Sequence, residues 1–168
     1  MVDGLAETDA GIEHDGVGID ANIDGVIQPL GEKVSYLAHD VATQERYAIK
    51  ILSPALSKDE NAMARLKREA ALGIRLAHPN VCHIMRMGET EDGLVYVVMP
   101  YVEGESLRAR LDRDRQLPVD EAIRIARETA DALDYAHRQG VIHRDIKPDN
   151  IMLHDGHVVV ADFGIALA

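Results

Sequence analysis

The chain has 168 residues, 46% of them apolar, a net charge of −11 and one cysteine, Cys82. That length suits one domain with its own core; no apolar run is long enough to span a bilayer, and the amino terminus lacks the positive-then-apolar pattern of a secretory leader. The charge argues against a nucleic-acid binder, which needs a basic face, and a lone cysteine excludes an internal disulfide and suits a reducing interior.

The acid is concentrated at the front. Residues 1–32 hold eight Asp or Glu and no Lys or Arg, which leaves −3 for the rest. Residues 1–23 mix Asp and Gly with scattered Ile and Val, with no period of 2 or 3.6. They read as an acidic, mostly disordered segment, or as a weakly formed first strand. Gly16-Val17-Gly18 invites a phosphate-loop reading, but a lone Gly-x-Gly without a strand and helix around it is weak evidence.

Residues 34–38 and 46–52 read as strands, with a turn over 40–44. In the second, alternation puts Ala48 and Lys50 on one face and Ile49 and Ile51 on the other. Residues 57–78 read as a helix whose apolar stripe is Met63, Leu66, Ala70 and Ile74, with Glu69 beside it. Residues 81–87 and 94–99 read as a second strand pair, turning near Glu91-Asp92-Gly93. Cys82 lies in the apolar run Val81-Cys82-His83-Ile84-Met85 and reads as a packed residue, not a reactive thiol.

Two helices follow. Residues 105–113 form a short one and residues 118–139 a long one. Pro118 suits a first turn, Asp120 and Glu121 suit the positive end, and Gly140 suits a stop. Ala122, Ala126, Ala130 and Leu133 give a narrow small-residue stripe for close packing. No internal repeat is evident.

The chemistry concentrates in His143-Arg144-Asp145-Ile146-Lys147-Pro148-Asp149-Asn150 and in Ala161-Asp162-Phe163-Gly164. Between them, residues 151–153 and 158–160 read as short strands around Asp155-Gly156, a strong hairpin signal. A hairpin returns Asn150 and Asp162 to one edge, side by side. Oxygen ligands so grouped suit Mg²⁺, which takes a few protein oxygens and leaves room for phosphate and water. Asp145 and Lys147 alternate on an extended loop and can face one pocket, where a carboxylate could accept a hydroxyl proton and an ammonium steady a phosphate. Taken singly, an Asp in a loop is a turn or cap residue; the set carries the argument. His154 and His157 flank the hairpin turn and read as solvated loop residues, not a metal pair.

The run His-Arg-Asp-x-Lys-Pro-x-Asn with a later Asp-Phe-Gly resembles the catalytic loop and metal motif of protein kinases. Lys147, two residues after Asp145, resembles the serine/threonine type, and the wording of the run resembles bacterial serine/threonine kinases. The resemblance covers about residues 26–168. It implies an α+β, protein-kinase-like fold: a small antiparallel-sheet lobe with one helix over 24–99, a hinge at 100–104 and an incomplete, mainly helical lobe over 105–168. It implies ATP and Mg²⁺ as cofactors, Ser or Thr of a protein as substrate, and a cytoplasmic setting.

The resemblance also assigns roles. Asp145 would orient the hydroxyl and Lys147 would neutralise the moving phosphoryl group. Asn150 and Asp162 would hold Mg²⁺. Tyr47-Ala48-Ile49-Lys50 resembles the family's Val-Ala-Ile-Lys, so Lys50 would bind the ATP phosphates and Glu69 would pair with Lys50. His78-Pro79-Asn80-Val81 resembles the family's turn out of the helix. Residues 100–104 resemble the hinge, where the Pro100 carbonyl and the Val102 amide and carbonyl would bind adenine. Met99 would guard the back of the pocket, or serve as a core methionine. Arg144 can anchor a phosphorylated activation loop in the family.

Two departures bear on activity. Counting back from Lys50, the three glycines and the valine of the family's phosphate-covering loop fall on Gln28, Leu30, Lys33 and Ser35. Only the neighbouring Gly31 is a glycine, and glycines there allow close backbone approach to phosphate. The chain also stops at Ile165-Ala166-Leu167-Ala168, before any activation segment. The expectation is therefore a kinase chain that is weakly active or inactive, with exposed lower-lobe surface open to self-association. A non-catalytic module binding nucleotide or a partner, and a fragment of a longer kinase, remain the alternatives.

Overall fold

The computed structural model describes residues 12–14, 17–19, 28–29, 35–39, 43, 45–52, 60–90 and 93–163. Gly31, Leu30, Lys33 and Gly164 lie outside the described residues. Two three-residue strands, β1 (Ile12–His14) and β2 (Val17–Ile19), pair antiparallel within the stretch that carries no readable period. Val17 and Gly18 therefore lie on a strand, not on a phosphate loop.

A five-stranded sheet forms the upper part. Its strands are β3 (Gln28–Pro29), β4 (Ser35–His39), β5 (Arg46–Ile51), β6 (Arg86–Glu89) and β7 (Val95–Pro100), in the spatial order β3-β4-β5-β7-β6. Every pairing is antiparallel. Alternation along β7 explains why it is buried on both faces. Tyr96 and Val98 pack with Ala38, Ile49 and Ile51 on one side. Val95, Val97 and Met99 pack with Leu66, Ala70 and Cys82 on the other. The sheet places Lys50 opposite Val97 and Ala48 opposite Met99, so the lysine lies on the second face, toward the cleft.

Helix α1 spans Glu60–Gly73 and ends five residues before the expected 78; residues 57–59 of the expected helix lie outside the described residues. Leu66 and Ala70 are buried as the stripe requires, but Ile74 lies past the helix end and is 43% exposed. The helix stops where it meets the lower half: a Cβ on Gly73 would lie 3.0 Å from Ile84 Cδ1 and 3.4 Å from the Phe163 carbonyl. The expected strand over 81–87 begins later, at Arg86; Val81 makes only a parallel bridge to Val160. Its backbone is engaged elsewhere, which is why the apolar run does not read through as one strand.

The lower part holds β8 (Glu105–Ser106), α2 (Leu107–Asp114), α3 (Val119–Arg138), a 3-10 turn at Pro148–Asn150, β9 (Ile151–His154) and β10 (His157–Val160). α2 starts two residues later than expected, because Glu105 and Ser106 pair with Leu153 and Met152 and Ser106 then caps the helix through the Ala109 amide. The expected small-residue stripe of α3 is corrected: Ala122, Ala126 and Ala130 are exposed. The buried face is Ile125, Thr129, Ala132 and Ala136, which packs with Val141, Ile151, Val158, Val160 and Phe163. Both stripes have helical spacing, and composition alone favoured the wrong one. No helix among the described residues is long and apolar enough to cross a membrane.

Candidate active site

The hairpin forms as Asp155-Gly156 demands. Both residues have positive φ, +47° and +79°, and β9 pairs with β10 from His154↔His157 to Ile151↔Val160. One pair further, the Ala161 amide donates to the Asn150 carbonyl at 2.9 Å. Asn150 and Asp162 thus leave the open end of one hairpin, as the spacing predicts.

His143 ties this end to the loop before it. It is buried at 1% exposure, and its ring meets Phe163 edge-on at 4.7 Å. Nδ1 lies 3.2 Å from the Asp145 amide and Nε2 lies 2.7 Å from the Ala161 carbonyl. An amide can only donate and a carbonyl can only accept, so the network assigns the proton to Nε2. Both backbone groups of Ala161 are then fixed, one by Asn150 and one by His143, immediately before Asp162. Sequence reasoning gave His143 no role of its own. Its position between the apolar Ile142 and two charged residues was the available signal.

Asp145 is held by neighbours. Its Oδ2 accepts from Lys147 Nζ at 2.7 Å and from Asn150 Nδ2 at 3.2 Å, and its carbonyl accepts from the same Nδ2 at 2.8 Å. The Lys147 hydrogen bond, helped by Asn150, holds the Asp145 carboxyl below the ordinary range, and Asp145 in turn raises the Lys147 ammonium. Arg144 and Asp162 both sit at positive φ, +66° and +68°, uncommon for non-glycine residues and characteristic of functional turns.

The upper partners differ from expectation. Lys50 Nζ pairs with Asp162 Oδ2 at 2.7 Å, and Glu69 Oε1 pairs with Arg144 Nη1 at 2.7 Å. The expected Lys50–Glu69 pair is therefore absent in this arrangement. Lys50 is thus engaged by the carboxylate expected to hold Mg²⁺, and Glu69 by the arginine of the loop. The Glu69–Arg144 bridge lies in a cleft of about 270 Å³ between α1 and the loop that follows α3, which Arg65, Arg68, Leu72 and Val141 also line.

Asn150 spends its Nδ2 on Asp145, and among the described residues nothing donates to its Oδ1. That amide oxygen and the Asp162 carboxylate are two hard oxygen donors at one hairpin end. The set fits Mg²⁺, which takes one or two protein oxygens and completes its shell with phosphate and water. It does not resemble a site for a softer metal, and among the described residues no group of three or more His, Cys, Asp or Glu could hold one. His154 Nδ1 lies 2.6 Å from the Glu103 carbonyl, and His157 lies 3.7 Å from Glu128.

The hinge residues continue from β7. Tyr101 donates its amide to the Arg46 carbonyl at 3.1 Å, and Arg46 also pairs with Glu103 and lies 5.3 Å over the Tyr101 ring. Gly104 is required: at φ +132° a Cβ would meet the Leu153 carbonyl at 2.0 Å. Met99 is buried at 7%, and Val102 packs against the same cluster. Cys82 Sγ lies 3.6 Å from the Pro100 carbonyl. Burial pushes the Cys82 thiol up to about 12, as expected for a packed and unreactive cysteine.

Residues 31–168 match the model of the protein kinase domain family. The chain belongs to the protein kinase family. Serine/threonine-protein kinase PrkC of Bacillus subtilis is 41% identical over 134 residues, covering 79% of this chain and 20% of that protein. Serine/threonine-protein kinase PknB of Mycobacterium leprae is 39% identical over 137 residues, covering 79% and 22%. The crystal structure of the PknI kinase domain of Mycobacterium tuberculosis superposes with a TM-score of 0.73 at 32% identity, covering 96% of this chain and 64% of that one. The chain thus spans about a fifth of the length of these curated relatives and about two thirds of the solved kinase domain. The expected α+β kinase fold and the likeness to bacterial serine/threonine kinases are both borne out.

Proposed function

We propose that the chain carries the nucleotide and catalytic half of a serine/threonine protein kinase, transferring a phosphoryl group from Mg-ATP to a protein hydroxyl. One observation supports this above the rest: two contact sets stand at one hairpin end, Lys50 on Asp162 at 2.7 Å across 112 residues, and Lys147 and Asn150 on Asp145 at 2.7 and 3.2 Å, with the Ala161 amide on the Asn150 carbonyl at 2.9 Å between them. Asp145 accepts and orients the substrate hydroxyl, its carboxyl held ionised by Lys147. Lys147 then faces the charge that develops on the phosphoryl oxygens. Bound Mg²⁺ would supply the neutralising charge on the phosphates, with Asn150 and Asp162 as its protein donors. Lys50 turns from Asp162 to the nucleotide phosphates, and Glu69 turns from Arg144 to orient it. Adenine sits at the Pro100 carbonyl and the Val102 backbone with Met99 behind, and Gly31 is the glycine left to serve the phosphates. The setting is cytoplasmic, where Mg-ATP is available.

A second reading is favoured by two observations. Gln28, Leu30 and Lys33 replace the phosphate-loop glycines, and Glu69 is held away from Lys50 by Arg144. Both suit a chain that binds nucleotide with little or no transfer. A thermal melt with and without Mg-ATP tests what the two readings share, with Lys50→Met as control. A ligand at 100 times its dissociation constant adds about 2.7 kcal/mol to the folded state, a rise of roughly 5 °C or more for a domain of this size. No rise, or an equal rise in Lys50→Met, would refute a nucleotide site at Lys50. Phosphotransfer then separates kinase from binding module.

A further inference from the structure

β10 runs into Asp162 and is an outer strand, with β9 on one edge only. Its other edge is held by side chains and one loop. Glu128 Oε2, on α3, accepts from the Val158 amide at 2.7 Å. Asn80 Nδ2 donates to the Val158 carbonyl at 2.7 Å and lies 3.4 Å from the same Glu128 oxygen. Two residues on, the Val160 amide donates to the Asn80 carbonyl and the Cys82 amide donates to the Val160 carbonyl, both at 2.8 Å. The loop that carries Asn80 is itself fixed to α3: the Ala77 amide donates to the Tyr135 hydroxyl at 3.0 Å, and His78 stacks on Tyr135 at 5.1 Å. Glu128 and Tyr135 are seven residues apart, two helical turns, and so share one face of α3.

We propose that Glu128, with Asn80, is a positioning residue for Asp162, fixing the height of β10 through the Val158 peptide. The proposal rests on the reading of Asp162 as the metal-binding carboxylate. The Glu128 side chain is 13% exposed, and a carboxylate accepting from a backbone amide is a strong, charge-assisted contact where water is excluded. Without it an edge amide beside the core would lose its partner. β9 fixes the register of β10 through four residue pairs. Glu128 ties the outer edge of the strand to α3, and four residues later that tether decides where the Asp162 carboxylate stands. Displacements of about 1 Å at such groups are felt strongly.

The test measures ATP affinity of the 168-residue chain by calorimetry with and without Mg²⁺, and reads the metal-dependent gain. Glu128→Asp keeps the charge but is one methylene too short to reach Val158. It is expected to lose about tenfold of that gain, the lower end for outer partners of metal ligands, with metal-free affinity unchanged within about twofold. Glu128→Gln keeps an oxygen that can accept from Val158 and is expected to retain the gain. A full gain in Glu128→Asp, or equal losses with and without metal, overturns the proposal, the latter because a merely structural role predicts it. Should Glu128→Asp not melt cooperatively, Asn80→Ser removes the Nδ2 donor instead, and a full gain there overturns the proposal likewise. No metal-dependent gain in the unmodified chain overturns the reading of Asp162 itself, and this proposal with it.

Discussion

The two sides of the cleft are held in different ways. Below, the residues around Asp145 find partners close in sequence: Lys147 and Asn150 on its carboxylate, His143 on its amide. Above, the partners are remote. Lys50 meets Asp162 at a separation of 112 residues, and Glu69 meets Arg144 at 75. A short loop leaves its residues few choices, so its contacts follow from the chain's geometry. Remote pairs are chosen by competition, and here Asp162 and Glu69 have each taken one cation. Pairs at this exposure are worth at most about 1 kcal/mol each. The lower side is therefore a fixed template, while the upper side is an arrangement that a bound polyanion can exchange.

The strongest way to break that contrast is to attack the template. Asp145→Ala is expected to lower any phosphotransfer by about 10²- to 10⁴-fold, while the Mg-ATP shift in melting midpoint persists. Loss of both together would mean that Asp145 holds the nucleotide site open and does not act only on the hydroxyl. Next comes the core beneath it. Phe163, 1% exposed and edge-on to His143, is expected to destabilise the chain by about 3–5 kcal/mol when cut to alanine, read by urea unfolding. A loss below about 1 kcal/mol would show that the template is held by its hydrogen bonds and not by its packing.

The same contrast explains what the sequence made legible. The hairpin, its turn and the juxtaposition of Asn150 with Asp162 follow from Asp155-Gly156 and strand length, and all were readable. The antiparallel character of the upper sheet came through resemblance; the spatial order of its five strands was not read from the sequence. The ion pairs above the cleft were not readable, because spacing in sequence cannot rank Lys50 against Arg144 as the partner of Glu69. The buried face of α3 was missed for a related reason. Ala122, Ala126 and Ala130 have the same period as Ile125, Thr129 and Ala132, and only the position of β10 decides which stripe is covered. α1 ends at Gly73, where a Cβ would lie 3.4 Å from the carbonyl of Phe163, ninety residues on, a closeness that no local pattern encodes.

A smaller effect sharpens the account of the upper side. Arg144→Ala removes the cation that holds Glu69. Glu69 is then expected to turn to Lys50, and Mg-ATP affinity to tighten by about fivefold or less, the value of a partly exposed pair. The side chains are 45% and 22% exposed, so a larger gain is not available from this contact. Weaker binding in Arg144→Ala would mean that Arg144 supports the cleft directly, and the exchange of partners would be wrong.

The smallest effect lies in the Asp145–Lys147 pair and is best read as a titration. The Asp145 carboxyl is held below its ordinary value, about 3.9, chiefly by the hydrogen bond from Lys147. A depressed carboxylate stabilises the fold fully above its unfolded value and loses that contribution as pH falls through the folded one. The raised Lys147 ammonium contributes below its unfolded value, about 10.4, and loses that as pH rises through the folded one. The pair is therefore intact between about pH 4 and 10, across the whole range in which a kinase would work. At 41% and 48% exposure its share of stability is small and screened by salt. In Lys147→Ala the Asp145 carboxyl, followed by NMR, is expected to titrate higher than in the unmodified chain. An unchanged titration would place the cause in Asn150, and Lys147 would then be free to serve the phosphate alone.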